Sequence, residues 1–326
     1  MTDKIIAIDL GGTSIKFAII NTLGQILQKW TIHTNILHQG QEIIPDIIKS
    51  INERLHLYQM KESDFLGIGM GSPGVINQAE GTIEGAYNLN WVTPQKIRQQ
   101  FETAFNLPFY MDNDANVAAL GEQWQGAGKG YSDVIMVTLG TGVGGGVVVN
   151  HHLIHGAVGA AGEIGHITID LSGRLECTCG KKGCLETVAS ATGIVNLTRL
   201  HAMEYVGDSI IKQAIDDGQK ITAKDIFKQA QSGDSFSEFI VDQFSAYLGL
   251  ACSHLANILN PQKIVLGGGV SQAGEYLLSK VINYMEEYCF KQVRQSTQLV
   301  LAQLGNDAGV LGAAQIVNLN ENGEIS

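Results

Sequence analysis

The chain opens by alternating apolar stretches with glycine-bearing turns. Residues 5–10 are apolar apart from Asp9, Gly11-Gly12-Thr13 breaks the run, residues 16–20 resume it, Leu23-Gly24 breaks it again, and residues 26–32 close the series. Short runs bounded by glycine predict three strands in a meander. The plan returns at residues 134–139, followed by the turn Gly140-Thr141-Gly142, residues 146–149, the polar tip Asn150-His151-His152 and Leu153-Ile154. Such self-similarity predicts one supersecondary plan used twice.

Between the two copies the period becomes helical. Ile43, Ile44, Ile47, Ile48, Ile51 and Leu55 share one face, with Pro45 tolerable in the first turn. Thr93-Pro94 predicts the N-cap and first residue of a second helix bearing Ile97, Phe101 and Phe105 at fourfold spacing. Residues 109–111 form a short strand that delivers Asp112-Asn113-Asp114 to its end. The second half is mostly helical, over residues 186–206, 222–232 beginning at Thr222, 234–258 and 271–288. A strand at 263–266 runs into Gly267-Gly268-Gly269, and residues 299–304 lead to a last helix near 307–319. The duplicated plan needs a crossing element, so that helix is expected to return to the N-terminal domain.

The chain has 326 residues, enough for two domains of about 150 each. Hydrophobic residues make up 44% and charged ones 16%, the mark of a compact core rather than a disordered chain. Lys and Arg total 21 against 32 Asp and Glu, a net charge of -11, and no basic stretch interleaves with aromatics. Nucleic acid and anionic membranes are therefore excluded as expected partners. Asp9 interrupts the first apolar run and no stretch of about 18 apolar residues follows anywhere, which reads as cytoplasmic.

Glycine changes the picture most. There are 39, against only five prolines, and they cluster directly after apolar runs, where a backbone turns sharply or approaches a ligand closely. Two stretches fit G-x-G-x-x-G: Gly69, Gly71, Gly74 and Gly140, Gly142, Gly145. A dinucleotide loop needs a helix next, but Val75-Ile76-Asn77 and Val147-Val148-Val149 continue as extended chain. Gly128-Lys129 lacks the upstream glycine of a Walker loop. What remains is a glycine turn between antiparallel strands, occurring twice, with hydroxyls at Thr13, Ser14 and Thr141. Its N-H groups can cradle an anion, or it can be a plain hairpin.

Cys177-x-Cys179-x4-Cys184 is compact, Gly180 and Gly183 let the chain wrap, and His166 lies eleven residues upstream. Three thiolates and one imidazole complete a closed tetrahedral Zn2+ shell, the mark of a structural site. Cys252 and Cys289 fall in helical patterns as ordinary buried thiols.

Both glycine turns together, with Asp9 ending the first strand, resemble the two phosphate loops of the actin-like ATPases. Asp9-Leu-Gly-Gly-Thr-Ser-Ile-Lys16, Met111-Asp-Asn-Asp114, Gly162-Glu-Ile-Gly-His166 and Cys177-Thr-Cys-Gly-Lys-Lys-Gly-Cys-Leu-Glu186 are similar, in order, to four signatures of the ROK family of sugar kinases. Within that family Gly85-Ala-Tyr-Asn-Leu-Asn-Trp91 resembles the ATP-dependent glucokinases of Gram-positive bacteria. The family's repressor members carry a helix-turn-helix domain ahead of the kinase fold; with the first strand starting at residue 4 or 5, none is expected here.

The resemblance implies an α/β, actin-like ATPase (ribonuclease H-like) fold of two domains with a cleft between them. The smaller domain would span 1–117 plus 307–326, and the larger, with the zinc loop, 118–306. Mg2+ and ATP would be held by Asp9, Gly11, Gly12, Thr13, Lys16, Gly140, Thr141, Gly142 and Gly144, with Gly267, Gly268 and Gly269 at the adenosine end. A sugar is a ring of hydroxyls, each donor and acceptor, so its pocket needs carboxylates and amides. By resemblance Asn113 binds the 3- and 4-hydroxyls, Glu163 with His166 the 2-hydroxyl side, and Glu186 the anomeric hydroxyl, while Gly74 and Asn88 border the pocket. His166 is then shared by zinc and sugar. Asp114 is expected to be the base for the 6-hydroxyl, although Asp112 competes for that role on sequence alone. The expected activity is phosphorylation of glucose by ATP to glucose 6-phosphate, the entry step of glycolysis, by a homodimer or homotetramer. The rival readings are a kinase of another hexose, such as N-acetylmannosamine or fructose, and a sugar-sensing regulator that does not phosphorylate.

Overall fold

A computed structural model describes residues 3–321; the expected domain ranges extend at both ends, over 1–2 and 322–326, outside the described residues. Strands β1 (Lys4–Leu10), β2 (Ser14–Asn21), β3 (Ile26–His33), β4 (Phe65–Ser72), β5 (Val75–Asn77), β6 (Thr82–Glu84), β7 (Gln95–Lys96) and β8 (Phe109–Asn113) form two sheets, of order β3-β2-β1-β4-β8 and β5-β6-β7. The larger sheet begins as an antiparallel meander, β1 with β2 and β2 with β3, and continues in parallel from β1 to β4 to β8. Ile5, Ile6, Ala7 and Ile8 of β1 are all buried, because both faces of the central strands are covered. β3 at the edge alternates half-buried with exposed residues. Trp30 stacks on its cross-strand partner Phe17, centroids 4.9 Å apart, and donates from Nε1 to Ser50 Oγ at 3.0 Å, which docks the helix Ile43–Leu57.

A second sheet repeats the plan strand for strand. β9 (Val134–Leu139), β10 (Val143–Val149), β11 (His152–Leu153), β12 (Lys263–Gly267) and β13 (Gln298–Leu301) take the order β11-β10-β9-β12-β13. β12 runs parallel to β9 and to β13. The long helix Ser235–Leu259, capped by Asp234, buries Phe236, Ile240, Phe244, Leu248 and Cys252. The helix Ala223–Gln231 opens on a reciprocal cap between Thr222 and Asp225. Among the described residues no helix is long and apolar enough to cross a membrane.

The chain divides into two compact units. One takes in the chain up to Gly130, Gly146–Ala161 and everything from Asn306 onward; the other is Tyr131–Gly145 with Gly162–Gly305. The expected border at residue 117 thus moves outward, because the helix Asp114–Gln125 packs along the terminal helix Ala308–Glu321. Small residues permit that approach. A methyl group added at Gly121 would run into Ala308 O, and one at Gly312 into Val117 O. Gly69 and Gly71, read as half of a G-x-G-x-x-G motif, serve the same layer: their missing side chains admit Ala313 and Val117 to β4.

Other boundaries differ for local reasons. Thr93-Pro94 does not open a helix, since Gln95–Lys96 first pairs with β6 and the helix is Ile97–Ala104 with Lys96 as N-cap. Helix 186–206 is broken at Ser190, which is extended and caps Ala191–Ala202. Helix 271–288 is broken at Gly274, whose φ of 67° no helix accepts. The turn glycines Gly144, Gly145 and Gly146 belong to β10, and Ile210–Asp216 and Lys291–Ser296 are helices without a strong apolar period.

Gly312→Ala is expected to cost about 1–3 kcal/mol of stability, because its methyl meets backbone rather than a flexible side chain. Chemical denaturation checks this, and an unchanged unfolding midpoint would mean that the two helices can part freely.

Candidate active site

In the first unit the site is built where β8 meets the helix Asp114–Gln125. Asn113 caps that helix, its Oδ1 accepting from Ala115 N at 3.0 Å, while its Nδ2 donates to Gly74 O at 3.2 Å. Gly74 has φ of 98°, a conformation that admits glycine with little strain. Asp114 is exposed, with Oδ1 accepting from Ala115 N at 2.8 Å, in the first turn where a carboxylate is favoured.

Asp112 has the opposite environment. It is 3% exposed, and its Oδ1 accepts from Asn113 N and Asn116 Nδ2, both at 2.8 Å. Its Oδ2 accepts from Gln78 Nε2 at 3.4 Å and lies 2.5 Å from His155 Nε2. Four donors surround the carboxylate, so it acts as a structural acceptor. The hydrogen bond to Asp112 holds the His155 imidazole above its usual pKa, against the opposing effect of burial.

The first glycine turn is pinned from β3 onward. Gly11 N donates to Ser14 O at 3.1 Å, Thr34 N to Thr13 O at 3.0 Å, and Thr34 Oγ1 to Gly11 O at 2.6 Å. Asp9 Oδ2 accepts from Lys16 Nζ at 3.0 Å. Gly309, in the terminal helix, faces the Asp9 carboxylate and leaves it room. Asn88 sits against Gly12, with its side chain at the turn, whereas Gly74 pairs with Asn113.

In the second unit Gly140 N donates to Gly142 O at 3.0 Å and Gly140 O accepts from Ala191 N at 2.8 Å, which fixes the second turn. Gly140 and Thr141 edge a cavity of about 660 Å³ whose wall includes Leu139, Phe227 and Val270, with Lys224 and Lys228 among its polar residues. Of Gly267, Gly268 and Gly269, at and beyond the end of β12, only Gly269 lines it. Gly267 packs on Met136 and Ala302, and Gly268, φ 83°, lies under the backbone of Leu139. Phe227 carries no signal in sequence, because an aromatic on the buried face of a capped helix looks like any core residue.

The four metal candidates converge. One ligand atom each of His166, Cys177, Cys179 and Cys184 lies within 4.8 Å of the others. Tetrahedral zinc with Zn-S of about 2.3 Å and Zn-N of about 2.0 Å sets S-S edges near 3.8 Å and S-N edges near 3.5 Å. Cys179 Sγ to Cys184 Sγ is 3.7 Å and Cys177 Sγ to His166 Nδ1 is 3.6 Å, so this donor set fits the ion. Without a cation, burial and the hydrogen bond to Glu186 push the Cys177 thiol up to about 12, and burial raises Cys184. A backbone N-H from Lys181 lowers Cys179.

Nδ1 of His166 faces the thiols, which leaves Nε2 on the side of Glu163 Oε2, 3.8 Å away. Glu186 stands between loop and turn. Its Oε1 accepts from Cys177 Sγ at 3.0 Å and Thr178 Oγ1 at 3.3 Å, and a methyl group at Gly142 would lie 2.6 Å from Oε2. Glu163, His166 and Glu186 are thus gathered around the metal loop. Gly144 lies within β10, half-buried.

The chain is 44% identical to a glucokinase of Halalkalibacterium halodurans, over 99% of this chain and 97% of that one. It is 35% identical to a glucokinase of Thermotoga maritima over 96% of this chain and 97% of the relative. Among solved structures it is similar to a ROK family glucokinase from Streptomyces griseus in complex with glucose and AMPPNP, with TM-score 0.75, 30% identity, and 96% and 98% of the two chains covered. The profile of the ROK family matches residues 5–319, and the chain belongs to that family.

Proposed function

We propose that this chain is an ATP-dependent glucokinase, transferring the γ-phosphoryl group of ATP to the 6-hydroxyl of glucose with release of ADP. The observation that carries the reading is the 44% identity, end to end, with a glucokinase, in a chain that keeps Asp114 exposed beside Asn113.

Asp114 is the base in this reading. A carboxylate is too weak a base to ionise an alcohol in advance, but phosphoryl transfer is loose, so the proton leaves late and the base chiefly orients the attacking oxygen. Asp112 is unsuited to the task, since donors already occupy both of its oxygens. Asn113 keeps one Nδ2 hydrogen and one Oδ1 lone pair beyond its bonds to Gly74 and Ala115, a donor and an acceptor for sugar hydroxyls. Within the other unit Glu163, Nε2 of His166 and Glu186 are gathered at the metal loop and are groups of the kind that bind sugar hydroxyls. The cavity edged by Gly140, Thr141 and Gly269 accommodates adenosine against Phe227. Asp9, held by Lys16, is the candidate ligand for Mg2+, which offsets phosphate charge when bound. His166, Cys177, Cys179 and Cys184 would hold zinc, a fixed brace for the loop leading to Glu186.

Asp114→Asn should lower kcat by roughly 10²- to 10⁴-fold with a much smaller change in glucose affinity. A variant keeping more than about a tenth of wild-type kcat, where chemistry limits turnover, would remove Asp114 from the role. A panel of hexoses with Mg-ATP should give glucose the highest kcat/KM; preference for N-acetylmannosamine or fructose would transfer the reading to that sugar.

Metal analysis should find one zinc per chain, resistant to mild chelation, with catalysis still requiring added Mg2+. Cys184→Ser should lower thermal stability and glucose affinity together, by loosening Glu186 two residues on and His166 across the shell. Normal calorimetric glucose binding by that variant would show that the loop stands without its metal.

A further inference from the structure

We propose that His155 is a positioning residue for phosphoryl transfer, acting through Asp112 to hold Asn113 and Asp114 in their working geometry. This rests on the assignment of Asp114 as base. His155 lies two residues beyond the end of β11, and Ala161 N donates to its carbonyl oxygen at 3.0 Å, which closes the glycine-rich loop behind it. From there its Nε2 reaches Asp112 Oδ2 at 2.5 Å, across 43 residues of sequence.

The consequence follows from what the other oxygen of Asp112 does. Oδ1 receives the backbone N-H of Asn113 and the side-chain amide of Asn116, one donor just before the helix and one in its first turn. The carboxylate therefore sets the plane of the peptide entering Asn113 and the rotation of the helix that begins at Asp114. A carboxylate has one torsion to its ring of donors, and fixing Oδ2 fixes Oδ1. Of the two donors on Oδ2, Gln78 is at 3.4 Å, a long bond, and its Nε2 donates more closely to Met111 O at 2.6 Å. His155 is thus the principal restraint on that side, and it brings a charge-assisted bond to an otherwise buried anion. Without it Oδ2 keeps only the long bond from Gln78, the carboxylate is free to rotate, and its hold on Asn113 N weakens. Misplacing a reacting group by a fraction of an ångström to 1 Å costs rate far more than stability.

The test is steady-state kinetics of His155→Leu and His155→Gln with glucose and Mg-ATP. In Gln the amide nitrogen falls near the position of the histidine Nε2, so a donor is retained. His155→Leu should lower kcat on the order of 10- to 100-fold and raise the KM for glucose, with the KM for ATP within about twofold of wild type. His155→Gln should recover most of the loss. In an Asp114→Asn background His155→Leu should have little further effect on kcat, because both changes remove the same function. If the leucine variant fails to fold, His155→Asn, whose amide is too short to reach Asp112, is measured instead. The proposal is overturned if the variant without a donor turns over like wild type while Asp114→Asn is crippled. It is also overturned if glutamine gives no rescue, or if the losses multiply in the double variant. Should Asp114→Asn itself retain activity, the base assignment fails instead, and that outcome is distinct from these.

Discussion

A carboxylate can be buried only when hydrogen-bond donors replace the water it has lost, and Asp112 is where this chain meets that demand. Its donors come from Gln78 before β6, from the backbone of Asn113, from Asn116 in the following helix, and from His155 beyond β11. Three separate stretches of chain, around Gln78, Asn113 to Asn116 and His155, are tied to one anion. The exposed Asp114, two residues on, opens the helix whose entry this buried relative holds through Asn113 N and Asn116.

Glu186 shows a comparable economy in the other unit. One oxygen meets the thiol of Cys177 in the metal loop and the other meets the space kept open by Gly142 in the second glycine turn. Two motifs that are far apart in kind, a cysteine cluster and a glycine turn, are within reach of one side chain. A side chain at Gly142 would have to displace the Glu186 carboxylate, so a change at the turn is felt at the cysteine loop.

Features that depend on neighbours in sequence were legible before the fold was known. The repeated meander follows from run lengths and glycine turns, and the metal loop from cysteine spacing with one histidine nearby. The motif around Asp112-Asn113-Asp114 located the acids but left open which was buried. That choice depends on His155 and Gln78, which approach from 43 residues downstream and 34 upstream, and nothing in a one-dimensional pattern links them. Gly69 and Gly71 match a G-x-G-x-x-G motif that the extended chain after it rules out as a dinucleotide loop, and what that spacing does serve, clearance for two packed helices, has no signature of its own in sequence. Pro94 fits the start of a helix equally well in sequence; the pairing of Gln95 with β6 delays that helix to Ile97. Phe227 was hidden for a different reason, since a cavity wall and a core face are made of the same residues.

The terminal helix Ala308–Glu321 lies against β1, β4 and the helix Asp114–Gln125, all made from the first 125 residues of the chain. During synthesis the face of this sheet that carries Ile5, Ala7, Gly67 and Gly69 waits for a cover translated about 180 residues after Gln125. Every segment of the other unit has been translated by residue 305, so it can be complete while the first unit still lacks its cover. Translation thus leaves the first unit and returns to it, and the sheet begun at Lys4 meets its covering helix only on that return.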